Sequence, residues 1–284
     1  MTALVLDGKA LAIKRRAEIA RQAGALPFTP GLAVVLVGDN PASAVYVRNK
    51  ERAALGSGIA ARTIRFPADT PETRLLAEIA ALNADPAVDG ILVQMPLPAQ
   101  IRAMAVIAAI DPEKDVDGFH PLNVGRLALG LSGLVPCTPR AVMRLLDHAG
   151  VPLRGARAAV LGRSHIVGRP MAMLLTAADA TVTLLHSRSR DLAAECQRAE
   201  IVIAATGRAE MVRGAWISPG AVVIDVGINR LGDGRLVGDV AYAECVGHAG
   251  AITPVPGGVG PMTIACLLEN TLIAAARLRG GVEK

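Results

Sequence analysis

In the stretch PASAVYVRNK, Ser43, Tyr46 and Lys50 recur at i, i+3 and i+7, which puts them on one helix face with Tyr46 and Lys50 one turn apart. A helix lysine is ordinarily a solvated charge. This helix, however, begins just past an apolar strand, at the carboxyl edge of a parallel sheet, where ligand sites of α/β proteins gather. Gln94 closes the apolar run GILVQ at an equivalent edge and needs a hydrogen-bond partner wherever it is buried. In EKDVDGFHP, Asp115 and Asp117 precede Gly118. They form either an Asx-capped turn or a carboxylate that accepts paired N–H donors of a heterocycle. No His, Cys or carboxylate set with ligand spacing accompanies them, so no metal is expected.

A second group lies in VLGRSHIVGRPM, Val160 to Met171, which reads as strand, glycine turn and helix. Gly162 and Gly168 suit a dinucleotide-binding turn, whose pyrophosphate sits on a helix N-terminus, but Ser164 stands where the middle glycine is usual. Its hydroxyl can donate to a phosphate. One strand later, where an NAD site carries an acid for the ribose hydroxyl, TVTLLHSRSR has none. It offers His186, Ser187, Arg188 and Arg190 instead, with Arg163 beside the turn. Such a cluster is either a solvated surface group or a cradle for the 2′-phosphate of NADP. One charged hydrogen bond there, roughly 1.5–3 kcal/mol, favours NADP over NAD by ~10–100-fold. PVPGGVGPMT adds Gly257, Gly258 and Gly260 among prolines, either a close backbone approach to a ligand or a hinge.

The elements that must position these groups alternate strand and helix throughout, which predicts parallel sheets covered by helices. Helical spacing marks 9–23, and 32–37 is a buried strand. Asn40-Pro41 caps a helix to about Leu55, a strand follows near 59–66, and Thr70-Pro71 caps the next helix. GILVQ is a strand, and a helix is expected near 99–109. Thr138-Pro139 caps a helix ending at Gly150. Strands are predicted at 157–161, 181–185, 200–204 and 222–226, then a hairpin with its tip at 232–234, and a last helix at 262–278. The expected fold is α/β with two lobes joined around 118–140. Residues 1–120 form the first, completed by the C-terminal helix 262–284, and 121–261 form a Rossmann-like second.

Composition narrows the partners. The 284-residue chain is 52% hydrophobic and 19% charged, with a net charge of +5. The charge favours anionic partners, but six scattered aromatics and dispersed basic residues argue against nucleic acid. Four cysteines without a C-x-x-C pair fit buried thiols in a reducing cytoplasm. With neither a leader peptide nor a spanning apolar run expected, the reading is a cytoplasmic protein with small anionic ligands and no membrane.

These stretches together give the chain its family likeness. LVGDNPASAVYVRNK, GILVQMPLP, DPEKDVDGFHPLNVGRL, PCTP, GRSHIVGRPMAMLL, VVIDVGIN, GDV and ITPVPGGVGPMT occur in that order along essentially its whole length. The sequence resembles the bifunctional methylenetetrahydrofolate dehydrogenase/methenyltetrahydrofolate cyclohydrolase family. The resemblance implies oxidation of 5,10-methylene-tetrahydrofolate with NADP to the methenyl cation, then hydrolysis to 10-formyl-tetrahydrofolate at the same site. It implies that Tyr46 packs over the folate, Lys50 is the main catalytic group, Gln94 orients it, Asp117 grips the pterin edge, and Gly258 lies near the folate. Gly162, Arg163, Ser164 and Ser187 match its cofactor positions, with Thr206, Gly207 and Ile228 bordering the nicotinamide. Arg188 and Arg190 are added on charge alone. A homodimer built through the cofactor lobe is also implied. The rivals are another two-lobe NADP dehydrogenase and a non-catalytic NADP sensor.

Overall fold

A computed structural model describes residues 2–280 of the chain. In chain order the elements are β1 (Leu4–Val5), α1 (Gly8–Gly24), β2 (Gly31–Val37), α2 (Pro41–Leu55), β3 (Ala60–Phe66), α3 (Glu72–Ala84), β4 (Gly90–Val93), α4 (Ala103–Ala109), α5 (Pro121–Ala128) and α6 (Cys137–His148). There follow β5 (Arg157–Leu161), α7 (Gly168–Ala177), β6 (Thr181–Leu185), α8 (Leu192–Gln197), β7 (Ile201–Ala204), β8 (Val222–Asp225), β9 (Asn229–Arg230), β10 (Leu236–Val237), α9 (Tyr242–Cys245), β11 (Ala251–Ile252) and α10 (Val259–Arg279). They divide into two compact units. The β2 unit holds Ile13–Cys137 and the chain from Ile264 on, and the β5 unit holds the chain up to Ala12 together with Thr138–Thr263. The sequence-based division lay instead at 120/121 and 261/262, and its residues 281–284 are outside the described residues.

In the β2 unit three parallel strands run in the order β3-β2-β4. All seven residues of β2 are buried, which is why its sequence is a continuous apolar run. Edge strand β3 carries Arg62 and Arg65 and is partly exposed. The core gathers Val35, Val37, Leu75, Ile79, Leu82, Ile91, Val93 and Val106. In the β5 unit six parallel strands run in the order β1-β11-β8-β7-β5-β6. Their core includes Leu161, Leu185, Val202, Val223, Val240 and Ile252. β9 and β10 form the antiparallel hairpin expected from the glycine-rich turn.

Two capping expectations are corrected, and other elements emerge that the sequence did not reveal. Thr70 does not cap α3: its hydroxyl donates to the Pro67 carbonyl at 2.7 Å, and Pro71 takes the cap position without a side-chain bond. Thr138 lies inside α6, which already starts at Cys137. The stretch read as a join around 118–140 contains α5, whose cap is the His120 imidazole accepting the Leu122 amide. β1 and β11, two residues each, carry no periodicity to read, yet β1 gives the β5 unit's sheet its edge. Helix α10 is also apolar and long enough by composition to cross a membrane, although no such run stood out in the sequence. In the structure 72% of that apolar window is buried within the protein, as expected of a core helix.

Candidate active and cofactor sites

Asn40 starts α2 as predicted: its side-chain oxygen accepts the amides of Ala42 and Ser43, and Pro41 occupies the first turn. The buried face of α2 is Ser43, Val47, Lys50 and Ala54, so Lys50 occupies a core position and is only 5% exposed. A buried ammonium needs partners. Gln94, at the carboxyl end of β4, supplies one, its Oε1 accepting from Lys50 Nζ at 3.0 Å. Gln94 Nε2 in turn donates to the Met95 carbonyl at 2.7 Å, which decides which end of the amide faces the lysine. The Tyr46 ring lies beneath the ammonium, 4.7 Å from Nζ to the centroid. Tyr46, Lys50 and Gln94 are thus brought together.

The paired aspartates divide the two readings made of them. Asp115 does the capping: its buried carboxylate accepts the His120 amide at 2.7 Å and Asn123 Nδ2 at 3.0 Å, shaping the 115–120 turn. Asp117 is half-buried and accepts no hydrogen bond from the described residues. Asp117 and Lys50 feel each other's charge without an ion pair among the described residues. Burial lowers the Lys50 pKa against the opposing pull of Asp117 and Cys137. Burial also pushes Asp117 up to about 6, against the pull of Lys50 and with Asp115 adding to the rise. The result is a lysine shifted toward its neutral amine beside a carboxylate with unused acceptors.

In the β5 unit the turn after β5 begins at Gly162, whose φ of +118° is glycine territory. At Gly168, a Cβ would collide with the Gly162 carbonyl, so the first turn of α7 packs directly on the loop. Ser164 replaces the middle glycine by serving the helix: its hydroxyl oxygen accepts the amides of Val167 at 3.2 Å and Gly168 at 3.4 Å. Its own proton stays available to donate. A cavity of about 320 Å³ opens here, and its walls include Gly162, Arg163, Ser164, His186, Ser187, Thr206 and Arg208. The turn after β6 is set by His186, whose Nδ1 accepts the Arg188 amide at 3.2 Å. Arg188 and Arg190 are exposed and do not line the cavity. Arg208 does, and the sequence reading passed over it although it directly follows Thr206-Gly207.

This donor set suits a phosphorylated dinucleotide. Arg163 and Arg208 make no ion pair among the described residues, and no carboxylate lines the cavity to repel a 2′-phosphate. The other predicted cofactor residues sit on one pair of loops. The amides of Thr206 and Gly207 both donate to Asp239, and Ile228, 59% exposed, precedes Asn229, which donates to the same carboxylate. Gly258, also in the β5 unit, is buried at the end of the Pro254–Gly258 turn, its amide donating to the Pro254 carbonyl at 2.9 Å. Asp225 and Asp239 were not singled out from sequence. A carboxylate closing the apolar run VVID was the available signal, since a buried acid must find donors.

Comparison with known proteins finds both parts of the chain in one family. Residues 6–117 match the family model described as tetrahydrofolate dehydrogenase/cyclohydrolase, catalytic domain, and residues 136–279 match that family's NAD(P)-binding domain. The chain is 73% identical over 279 residues to a protein named Bifunctional protein FolD from Acidiphilium cryptum, covering 98% of this chain and 100% of that one. A crystal structure of the bifunctional FolD methylenetetrahydrofolate dehydrogenase/cyclohydrolase from Campylobacter jejuni superposes with a TM-score of 0.95. It is 46% identical and covers 97% of this chain and 99% of that one. The Trypanosoma brucei enzyme described as complexed with NADP cofactor and inhibitor gives a TM-score of 0.94 at 41% identity, with 98% of each chain covered.

Proposed function

We infer the chemistry of the two sites from a fact about the whole chain: it belongs to the tetrahydrofolate dehydrogenase/cyclohydrolase family. It is a bifunctional one-carbon folate enzyme. It oxidises 5,10-methylene-tetrahydrofolate to the methenyl form with NADP and hydrolyses that product to 10-formyl-tetrahydrofolate.

For the residues, the observation that carries our assignment is the buried Lys50 ammonium held by Gln94 above Tyr46. Hydrolysis begins when a water oxygen bonds to the methenyl carbon and must give up a proton. Lys50 takes that proton, which requires the neutral amine that burial favours and the cationic substrate favours further. Gln94 accepts one lysine N–H and so aims the amine's lone pair. The C–N bond then breaks as the carbinol hydroxyl becomes the formyl C=O and releases its proton to water, while the protonated lysine returns its own proton to the departing nitrogen. Tyr46 packs on the folate, the unused acceptors of Asp117 receive paired N–H groups of the pterin, and Gly258 lies beside the folate. When bound, NADP supplies the hydride acceptor, and the chain contributes alignment rather than acid or base. Arg163, Ser164, Ser187 and Arg208 bind its phosphates in the cavity beside Gly162, with Arg188 and Arg190 adding charge from outside. Thr206, Gly207 and Ile228 border its nicotinamide end. A homodimer with no nucleic-acid or membrane partner completes the proposal, and its cytoplasmic location is supported by four buried free thiols.

The test is a paired spectrophotometric assay with 5,10-methylene-tetrahydrofolate and either NADP or NAD, reading reduced cofactor and methenyl product separately. NADP reduction, together with faster-than-spontaneous loss of added methenyl-tetrahydrofolate, is expected. Turnover with neither cofactor would overturn the assignment.

A further inference from the structure

Two carboxylates of the β5 unit are more deeply buried than Lys50, and both stand without a cation among the described residues. Asp239 is fully buried and Asp225 is 3% exposed, and neither has an ion pair among the described residues. Backbone and amide donors satisfy them instead. Asp225 Oδ1 accepts the amides of Gly227 and Asp239, both at 2.9 Å, and Oδ2 accepts the Val240 amide at 2.9 Å. The Asp225 amide is pinned in turn by Thr253 Oγ1 at 2.7 Å. Asp239 Oδ2 accepts the amides of Thr206 and Gly207 at 2.5 and 2.9 Å, while Oδ1 accepts Asn229 Nδ2 at 2.9 Å.

The bonds form a relay. Asp225, at the end of β8, fixes the backbone of Asp239, and Asp239 fixes the tips of two loops. The packing is close enough to exclude side chains: a Cβ on Gly227 would fall onto the Asp239 carboxylate, and one on Gly238 onto that of Asp225. The Gly227 backbone is not left-handed, so the carboxylate, not the local conformation, bars alanine there. Burying two acids with only N–H donors carries a desolvation cost. A pair of apolar side chains would avoid that cost but could not hold five backbone amides and an asparagine at set distances.

We propose that Asp225 and Asp239 are positioning residues, a carboxylate clamp that sets the Thr206–Gly207 loop against the Gly227–Asn229 loop for binding the nicotinamide end of NADP. The inference rests on the assignment of those loops to the cofactor, and goes beyond it by naming what holds them.

The test uses the full-length enzyme with Asp239→Ala, Asp239→Asn and Gly227→Ala, reading NADP affinity by calorimetry beside both activities. In Asp239→Ala and Gly227→Ala, NADP affinity and dehydrogenase kcat/KM are expected to fall ~10–100-fold. Hydrolysis of added methenyl-tetrahydrofolate, which needs no nicotinamide, should stay within about twofold. Asp239→Asn should recover most of the loss, because its oxygen can keep the Thr206 and Gly207 amides while the Asn229 amide turns over. Parallel loss of both activities, unchanged NADP affinity, or an asparagine variant no better than alanine would each overturn the clamp. If the wild type binds NADP but turns over no folate, the functional assignment fails while the calorimetry still judges the clamp. Should Asp239→Ala not fold, Gly227→Ala, which keeps every donor and acceptor and only displaces the carboxylate, decides alone.

Discussion

The Lys50 cluster and the Gly162 turn both sit at carboxyl ends of parallel strands, yet they hold their working groups in opposite ways. In the β2 unit the chemistry is buried: an ammonium in a core position, an amide locked by a backbone carbonyl, a ring beneath, and a half-buried carboxylate. Lys50 and Asp117 there bias each other's ionisation. In the β5 unit the groups expected to meet ligand are exposed arginines and serines on turns, and the buried charge lies one layer behind them, in Asp225 and Asp239. One site tunes a proton, so it needs a low-dielectric setting. The other recognises anions that arrive with their own charge, so exposed donors on a fixed backbone suffice. Substitutions should therefore cost more, and more selectively, in the first.

The largest expected effect follows from that contrast. Lys50→Met leaves the Gln94 oxygen and the Tyr46 ring in place but removes the amine that burial shifts toward its neutral, proton-accepting form. Methenyl hydrolysis should fall by ~10²–10⁴, the usual contribution of a general base. Dehydrogenase activity should fall much less, since hydride transfer asks only for alignment. Full hydrolysis in the variant would remove Lys50 from the mechanism. Gln94→Ala is expected to fall between wild type and Lys50→Met, because the lysine stays buried but loses its aim.

In the cofactor cavity the expected effects are smaller and graded by ligand. Arg163→Ala and Arg208→Ala should each raise the NADP KM by ~10–100-fold or less, consistent with loss of a charged hydrogen bond. They should leave hydrolysis of added methenyl-tetrahydrofolate untouched. The NAD KM separates the two: a residue that touches only the 2′-phosphate changes NADP alone, whereas one that touches the pyrophosphate changes both. An arginine whose loss also slowed hydrolysis would break the division of labour between the sites.

The buried acids offer a sharper comparison through pH. Burial and the nearby Asp239 push Asp225 up to about 7, outweighing its three amide donors. A raised acid binds its proton in the folded state at pH values where the unfolded chain has already lost it. Its contribution is therefore present below about pH 4 and is lost as pH rises through 7. Asp117, pushed up to about 6, acts in the same direction over a narrower window. Urea midpoints of the wild type should carry a downward slope between pH 4 and 7 from these two acids. Asp225→Asn should flatten it by the larger share, on the order of a few kcal/mol. A slope unchanged by that substitution would mean that the amide donors hold Asp225 ionised throughout.

How much of this was legible beforehand tracks the same difference between the sites. Tyr46, Lys50 and Gln94 could be read because helix periodicity and strand ends fix where a side chain lies, and the structure brings all three together. Asp115 and Asp117 could be told apart only through the family resemblance, because which acid caps a turn depends on φ and ψ that composition does not reveal. Ser164 was legible as a departure from the glycine pattern, but its service to the α7 amides was not. Asp225 was legible only as an acid closing the run VVID, and Asp239 was missed because, apart from Asn229, its partners are backbone amides, which leave no residue-type signature. The short strands β1 and β11 and helix α5 were missed for a related reason: two residues hold no period, and α5 was masked by the polar loop before it.

The smallest expected effect is the most exacting test of the cavity. Arg188 was named on charge alone, from the same tripeptide run that supplies Ser187. The structure uses its backbone, not its side chain: the amide closes a turn on His186 Nδ1, and the guanidinium stands in solvent away from the cavity wall. A charge so placed acts on an anion only through water and salt, where its reach is about 10 Å at 0.1 M ionic strength. Arg188→Ala is therefore expected to change the NADP KM by about twofold at low salt and by nothing measurable at 0.5 M, the signature of a screened field. Arg163→Ala should keep most of its effect at both, because a direct hydrogen bond resists screening. If Arg188→Ala matched Arg163→Ala at high salt, the side chain would have to swing into the cavity when NADP binds. The β5 site would then be built by its ligand, whereas the Lys50 cluster stands assembled in advance.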